Sequence, residues 1–181
     1  MDKQTKDFID NAKDVTKPIM GIIMALLVFL FLLAMFSMSF GVEKIKLIRP
    51  FDDITYKVDI SGRFGVDRPG SIGGNTYPHT GVDYKLERGT NLRASAGGVI
   101  INAEDSETGY GNWVVIDHGG GLTTIYAHLL RPEVRVGDKV EQGQIIGQVG
   151  RSGRAYGYHC HFEVRLKNRP IHPWTYIKDS I

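Results

Sequence analysis

The sequence predicts an all-β fold, a compact β-sandwich or barrel over residues 60–181, preceded by one transmembrane α-helix. Three observations carry that expectation. The chain has 181 residues and 22 glycines, and the glycines lie almost wholly after position 60. Between them recur short apolar-rich runs of roughly four to eight residues, the length of strands joined by turns. Across 18–42 no charged residue occurs at all.

The apolar run comes first in the chain. Residues 19–36 are Leu, Ile, Val, Phe, Met and Ala with a single glycine. As a helix, 18–42 would span about 37 Å, more than the roughly 30 Å of a bilayer core. Lys17 and Glu43 bracket it, and Thr16-Lys17-Pro18 suits a helix start. No polar face interrupts the run, which argues against a buried soluble helix. Ser37-Met38-Ser39 has the small-x-small form of a signal cleavage site. The run is nevertheless longer than a signal h-region of about 7–15 residues, and a polar tail precedes it. The expectation is an uncleaved anchor in contact with the lipid bilayer. Lys3, Lys6, Lys13 and Lys17 on one flank balance Lys44, Lys46, Arg49 and Lys57 on the other, so charge gives no orientation.

The chain therefore divides into a polar tail (1–17), a transmembrane helix (18–42), a connector (43–59) and a folded domain (60–181). Within the domain, residues 69–78 with Gly70, Gly73 and Gly74 read as a loop. Strands are expected at 98–103, 112–117, 122–129, 139–140, 145–149 and 159–166. Gly119-Gly120-Gly121 joins two of them as a tight hairpin. The net charge of +2 is nearly balanced and the basic residues are scattered, which argues against nucleic acid as a partner. The lone Cys160 excludes a disulfide scaffold.

The histidines carry the chemistry. In His159-Cys160-His161 the alternation of a strand points both imidazoles one way and the thiol the other. Imidazoles on one face of a strand begin a zinc site, and one of them with a carboxylate and a further imidazole from elsewhere would complete a three-ligand set. A fourth position open to water distinguishes a catalytic zinc from closed, cysteine-rich structural sites. His79 and Asp83, four residues apart in His-Thr-Gly-Val-Asp, and His128 in Tyr-Ala-His-Leu are the other candidates.

His79-x-x-x-Asp83 followed by His159-x-His161 resembles the lysostaphin-like, or LytM-type, zinc metallo-endopeptidases. Ser61-Gly62-Arg63-Phe64-Gly65, the stretch 111–119 continuing through Tyr126-Ala127-His128-Leu129, and the stretch 136–147 extend the resemblance from about 60 to 177. It implies that His79, Asp83 and His161 hold Zn2+, and that His128 and His159 flank the site without ligating. It also implies a β-sandwich and a peptide substrate in bacterial peptidoglycan, either cross-links or stem peptides. One of the two flanking histidines would move the proton of water and the other would hydrogen-bond the oxyanion; the sequence does not say which.

Other residues have quieter readings. Cys160 belongs to the core by strand phase. Glu163 shares the face of His161 and reads either as a partner of an imidazole or as an exposed strand-end carboxylate. His118 and His172 read as packed or surface residues, and Trp113 and Trp174 as packing. Two rival functions remain: a non-catalytic module of the same fold, and a lipoyl-like adaptor hairpin around 136–144. The expected location is a single-pass membrane protein with its domain on the periplasmic or cell-wall side, or in a virion membrane. A larger envelope or virion assembly is the expected further partner, in a wall-remodelling, secretion, conjugation or phage-lysis setting.

Overall fold

The computed structural model describes residues 3–5, 20, 22–31, 45–52, 56–58, 62–69 and 76–177. The chain divides into two units, Met1–Lys44 and Ile45–Ile181. In the first, residues 3–5, 20 and 22–31 are helical, and the large apolar side chains from Met20 to Phe31 are exposed. Among the described residues no helix is long and apolar enough to cross a membrane. The rest of 18–42, where the anchor is expected, lies outside the described residues.

The second unit is mostly β, as the glycine-punctuated sequence predicts. Its described strands are β1 (Asp67–Pro69), β2 (Thr76–Pro78), β3 (Val82–Lys85), β4 (Asn91–Arg93), β5 (Gly98–Glu104), β6 (Asn112–Asp117), β7 (Leu122–Pro132), β8 (Lys139–Val140), β9 (Ile145–Val149), β10 (His159–Leu166) and β11 (Arg169–Ile171). A 3-10 turn at Pro173–Thr175 closes the described chain, with His172 as its cap. The expected hairpin is β6–β7, with Asp117 opposite Thr123. Gly119, Gly120 and Gly121 all take positive φ there, which a side chain would resist.

Two segments differ from expectation. The 69–78 loop begins and ends as paired strands, β1 and β2, with Arg68 opposite Tyr77; residues 70–75 lie outside the described residues. The segment 43–59, expected as a connector, packs in part. Leu47 is fully buried and bridged to Ile177, and Phe51 packs edge-on against Tyr56 and Tyr84. Ile177 and Tyr84 lie far away in sequence, so alternation within 43–59 could not report them.

One path of the sheet runs β11-β10-β7-β6-β5-β8, with β3 beside β10 and β9 joining β7 to β4. Cys160, Phe162 and Val164 of β10 face the core with Tyr84, Val114, Ile116 and Tyr126. Burying each large apolar side chain of this kind contributes about 1.5–3 kcal/mol. That face fixes the phase of β10. The opposite face, carrying His159, His161 and Glu163, is then free for chemistry.

Candidate metal centre

The strand register builds the site. On β10, His161 lies opposite Asp83 of β3 on one edge and opposite Ala127 of β7 on the other. Directly opposed residues in an antiparallel pair have Cβ atoms about 4.5–5.5 Å apart. Asp83 Oδ1 accordingly reaches within 2.7 Å of His161 Nδ1. His79 enters from the end of β2, tied by backbone bonds to Val66 and Gly65. Gly81 makes the approach possible, because a Cβ there would meet the Phe162 carbonyl at 2.4 Å and His161 Cε1 at 2.9 Å.

His79 Nε2 lies 2.9 Å from His161 Nδ1 and 3.2 Å from Asp83 Oδ1. These three groups could hold a metal ion. The outer hydrogen bonds sharpen the point. His79 Nδ1 donates to the carbonyl of Arg63 at 3.0 Å, which leaves Nε2 with a bare electron pair. His161 Nε2 donates to Glu163 Oε1 at 2.9 Å, so Nδ1 is the nitrogen aimed inward. Three electron-pair donors thus converge, and something positive must sit among them. A proton on His161 Nδ1 can do so: burial opposes it, but the hydrogen bonds to Asp83 and Glu163 win and raise the His161 pKa. A divalent cation does it with more charge. Zinc bonds of about 2.0–2.1 Å at tetrahedral angles place ligand atoms about 3.3 Å apart, close to the spacing here. Two imidazoles and a carboxylate without cysteine form the donor set of a catalytic zinc.

Asp83 is half-buried, and the loss of water around it by itself raises its pKa. Hydrogen bonds with His161 and His79 outweigh that and hold the carboxyl well below the usual range. Its second oxygen accepts from Arg68 at 2.6 Å.

His128 and His159 join beside these three, their rings 4.7 Å apart. His128 is 6.0 Å from the His161 ring, and His159 Nε2 is 3.8 Å from Asp83 Oδ2. Simple alternation would put His128 on the core face with Tyr126. Its φ of 63° breaks the alternation and turns the imidazole to the site. Its Nδ1 donates to the Ser152 carbonyl at 2.9 Å, and His159 Nδ1 donates to the Gly157 carbonyl at 2.8 Å. Both Nε2 atoms are then the basic ones. Burial, followed by the charge of His159, lowers the His128 pKa to about 4, so that ring is neutral near pH 7. An open cavity of about 500 Å³ is lined by Ser152, whose carbonyl holds His128, and by Asp105, Glu107 and Asn112.

All five sequence-predicted residues therefore meet at one place. Of the alternatives for Glu163 the structure selects the buried one: it is fully enclosed. Sequence reading missed Arg68 and Tyr110. Arg68 directly precedes the expected 69–78 loop and carried no motif, and Tyr110, whose ring stacks on His161 at 5.6 Å, lies outside every strand pattern. Trp113 packs at a tilt against Tyr110, whereas Trp174, read as packing, is 57% exposed.

The profile of peptidase family M23 matches residues 77–173, more than half of the chain. The chain belongs to this family. Its lysostaphin-like resemblance is borne out by the catalytic domain of lysostaphin from Staphylococcus simulans, 32% identical with a TM-score of 0.57 over 66% of this chain and 90% of that one. A zinc-containing peptidase from Vibrio cholerae is 32% identical with a TM-score of 0.62, over 70% of this chain and 39% of its own. Among curated relatives, the DD-carboxypeptidase/endopeptidase Mpg of Neisseria gonorrhoeae is 45% identical over 52% of this chain and 22% of Mpg. The peptidoglycan DD-endopeptidase ShyA of Vibrio cholerae is 37% identical over 64% of this chain and 28% of ShyA. The M23 chain described here spans about a quarter of the length of those two relatives. Zinc is the cofactor that the family and this donor set share.

Proposed function

We propose that this chain is a zinc metallo-endopeptidase that cuts peptide bonds of bacterial peptidoglycan. The observation that carries the reading is the convergence of His79 Nε2, His161 Nδ1 and Asp83 Oδ1, with the outer nitrogen of each imidazole tied to an acceptor. In this reading His79, Asp83 and His161 are the ligands. Bound there, zinc supplies Lewis acidity toward a scissile carbonyl and acidifies water. His128 and His159 each offer a basic Nε2 held in place by a backbone carbonyl. One takes a proton from water and returns it to the leaving amine, and the other, once protonated, donates to the developing oxyanion. The peptidoglycan substrate is supported by ShyA, whose name states it, and by the motif resemblance. The presence of all five site residues in one place argues against a non-catalytic module of this fold. The histidine cluster has no place in a lipoyl-like adaptor.

The uncharged run 18–42 supports anchoring in a bilayer, with the peptidase facing the periplasm or cell wall. A host envelope enzyme, a secretion or conjugation component and a phage protein in a virion all accommodate that arrangement. Protease protection in intact cells tests it; cleavage of 45–181 only after the cytoplasm is opened would contradict it.

The activity test is direct. The full chain is incubated with purified peptidoglycan, with and without a chelator, and the fragments are weighed. We expect chelator-sensitive peptide cleavage, lost together with bound zinc in His161→Ala. Cleavage that survives both treatments would falsify the mechanism.

A further inference from the structure

The carboxylate of Glu163 is fully buried on the site face of β10 and is surrounded by donors. Its Oε1 accepts from Thr80 Oγ1 at 2.6 Å, from Tyr110 Oη at 2.5 Å and from His161 Nε2 at 2.9 Å. Its Oε2 accepts from Arg165 Nε at 2.7 Å. Arg165 also donates to Tyr110 Oη at 3.2 Å, and the Tyr110 ring stacks on His161. Thr80 follows His79 directly, and Tyr110 accepts the backbone N–H of His128 through its carbonyl. One carboxylate therefore ties together the segments that deliver His79, His128 and His161.

Such a cluster is expensive to assemble unless it fixes something. A buried carboxylate loses its hydration, which only complete pairing offsets. A packed apolar residue would hold β10 in the core equally well. What an apolar residue could not do is choose between the two nitrogens of His161. Glu163 can only accept, so Nε2 must keep its proton and Nδ1 must face His79 and Asp83.

We propose that Glu163 is the positioning residue of the metal centre: its four-donor cluster with Thr80, Tyr110, His161 and Arg165 commits His161 to offering Nδ1, and registers the three segments of the site against one another. This rests on the zinc reading given above. Tyr110 roofs His161 and closes the cluster from above, so that Nε2 is shielded from water that would loosen its bond to Glu163.

The test measures metal binding and nitrogen identity, independently of activity. Zinc affinity of the full chain is read by competition with a chelating dye. A long-range proton–nitrogen spectrum of histidine-labelled, zinc-loaded protein shows which nitrogen of His161 carries the metal. For the wild type we expect metal on Nδ1 and a slowly exchanging proton on Nε2. In Glu163→Gln we expect zinc affinity to fall about 10–100-fold and the Nε2 proton to exchange freely, with the β fold kept by circular dichroism. A Glu163→Gln affinity within about twofold of wild type overturns the proposal. Metal on Nε2 of His161 in the wild type overturns it as well, and that spectrum decides the matter even where Glu163→Gln does not fold. A wild-type chain that binds no zinc overturns the metallopeptidase reading itself, and the two failures are distinguishable.

Discussion

Arg68 donates to Asp83 Oδ2 at 2.6 Å, while Asp83 Oδ1 faces His161 and His79. The carboxylate is gripped from both ends, so its orientation toward the metal position is set before any cation arrives. The Arg68 side chain is 35% exposed, which limits what the pair contributes to stability. Arg68→Met should therefore weaken zinc binding about tenfold while leaving the melting temperature nearly unchanged. Chelator competition and a thermal melt on the same sample check this; unaltered affinity would count against the role of Arg68.

The backbone of His128 makes a second prediction. Its φ of 63° is a conformation that glycine adopts freely and other residues resist. His128→Ala should keep stoichiometric zinc and lower kcat by about 10²–10⁴-fold. His128→Gly should be as inactive, yet more stable than His128→Ala by about 1 kcal/mol or more. Paired denaturant titrations read the difference, and equal stabilities would argue that the strain is absent.

Acid should weaken the fold in two windows. Burial, then the charge of His159, sets His128 at about 4 instead of 6.5. That depressed pKa stabilises the fold fully above pH 6.5, and the contribution is lost as pH falls toward 4. Burial raises the Glu163 pKa, but the hydrogen bond from His161 and the other donors outweigh it and bring the carboxyl from 4.5 to about 2. Its contribution is complete above pH 4.5 and disappears on the way to 2. His128→Ala should flatten the upper window, and Glu163→Gln should shrink the lower, to which the depressed Asp83 carboxyl also contributes, measured as unfolding midpoints against pH without added zinc.

Cys160 is fully buried opposite Tyr84, and burial pushes its thiol far above the ordinary range. It should resist thiol reagents in the folded chain and label at once in denaturant. Labelling under native conditions at the rate of a free thiol would place it outside the core.

Much of this was legible in the sequence because it depends on local periodicity. Alternation along 159–166 assigned His159 and His161 to one face and Cys160 to the other. The glycine run at 119–121 marked the hairpin. The motif order from His79 to His161 named, through its family resemblance, the three groups that converge and could hold a metal ion. Packing of Leu47 and Phe51 was hidden, since their partners Ile177 and Tyr84 are remote in the chain.

The sequence by itself determined which residues could bind metal, because ligand chemistry is a property of side-chain type and strand phase. Tertiary structure alone decided how they are held. The Asp83–His161 register follows from β3 pairing with β10, and the turn of His128 into the site follows from a break in β7. The enclosure of Glu163 requires Thr80, Tyr110 and Arg165 to arrive together. Each depends on contacts between strands distant in sequence, whose geometry no local pattern encodes.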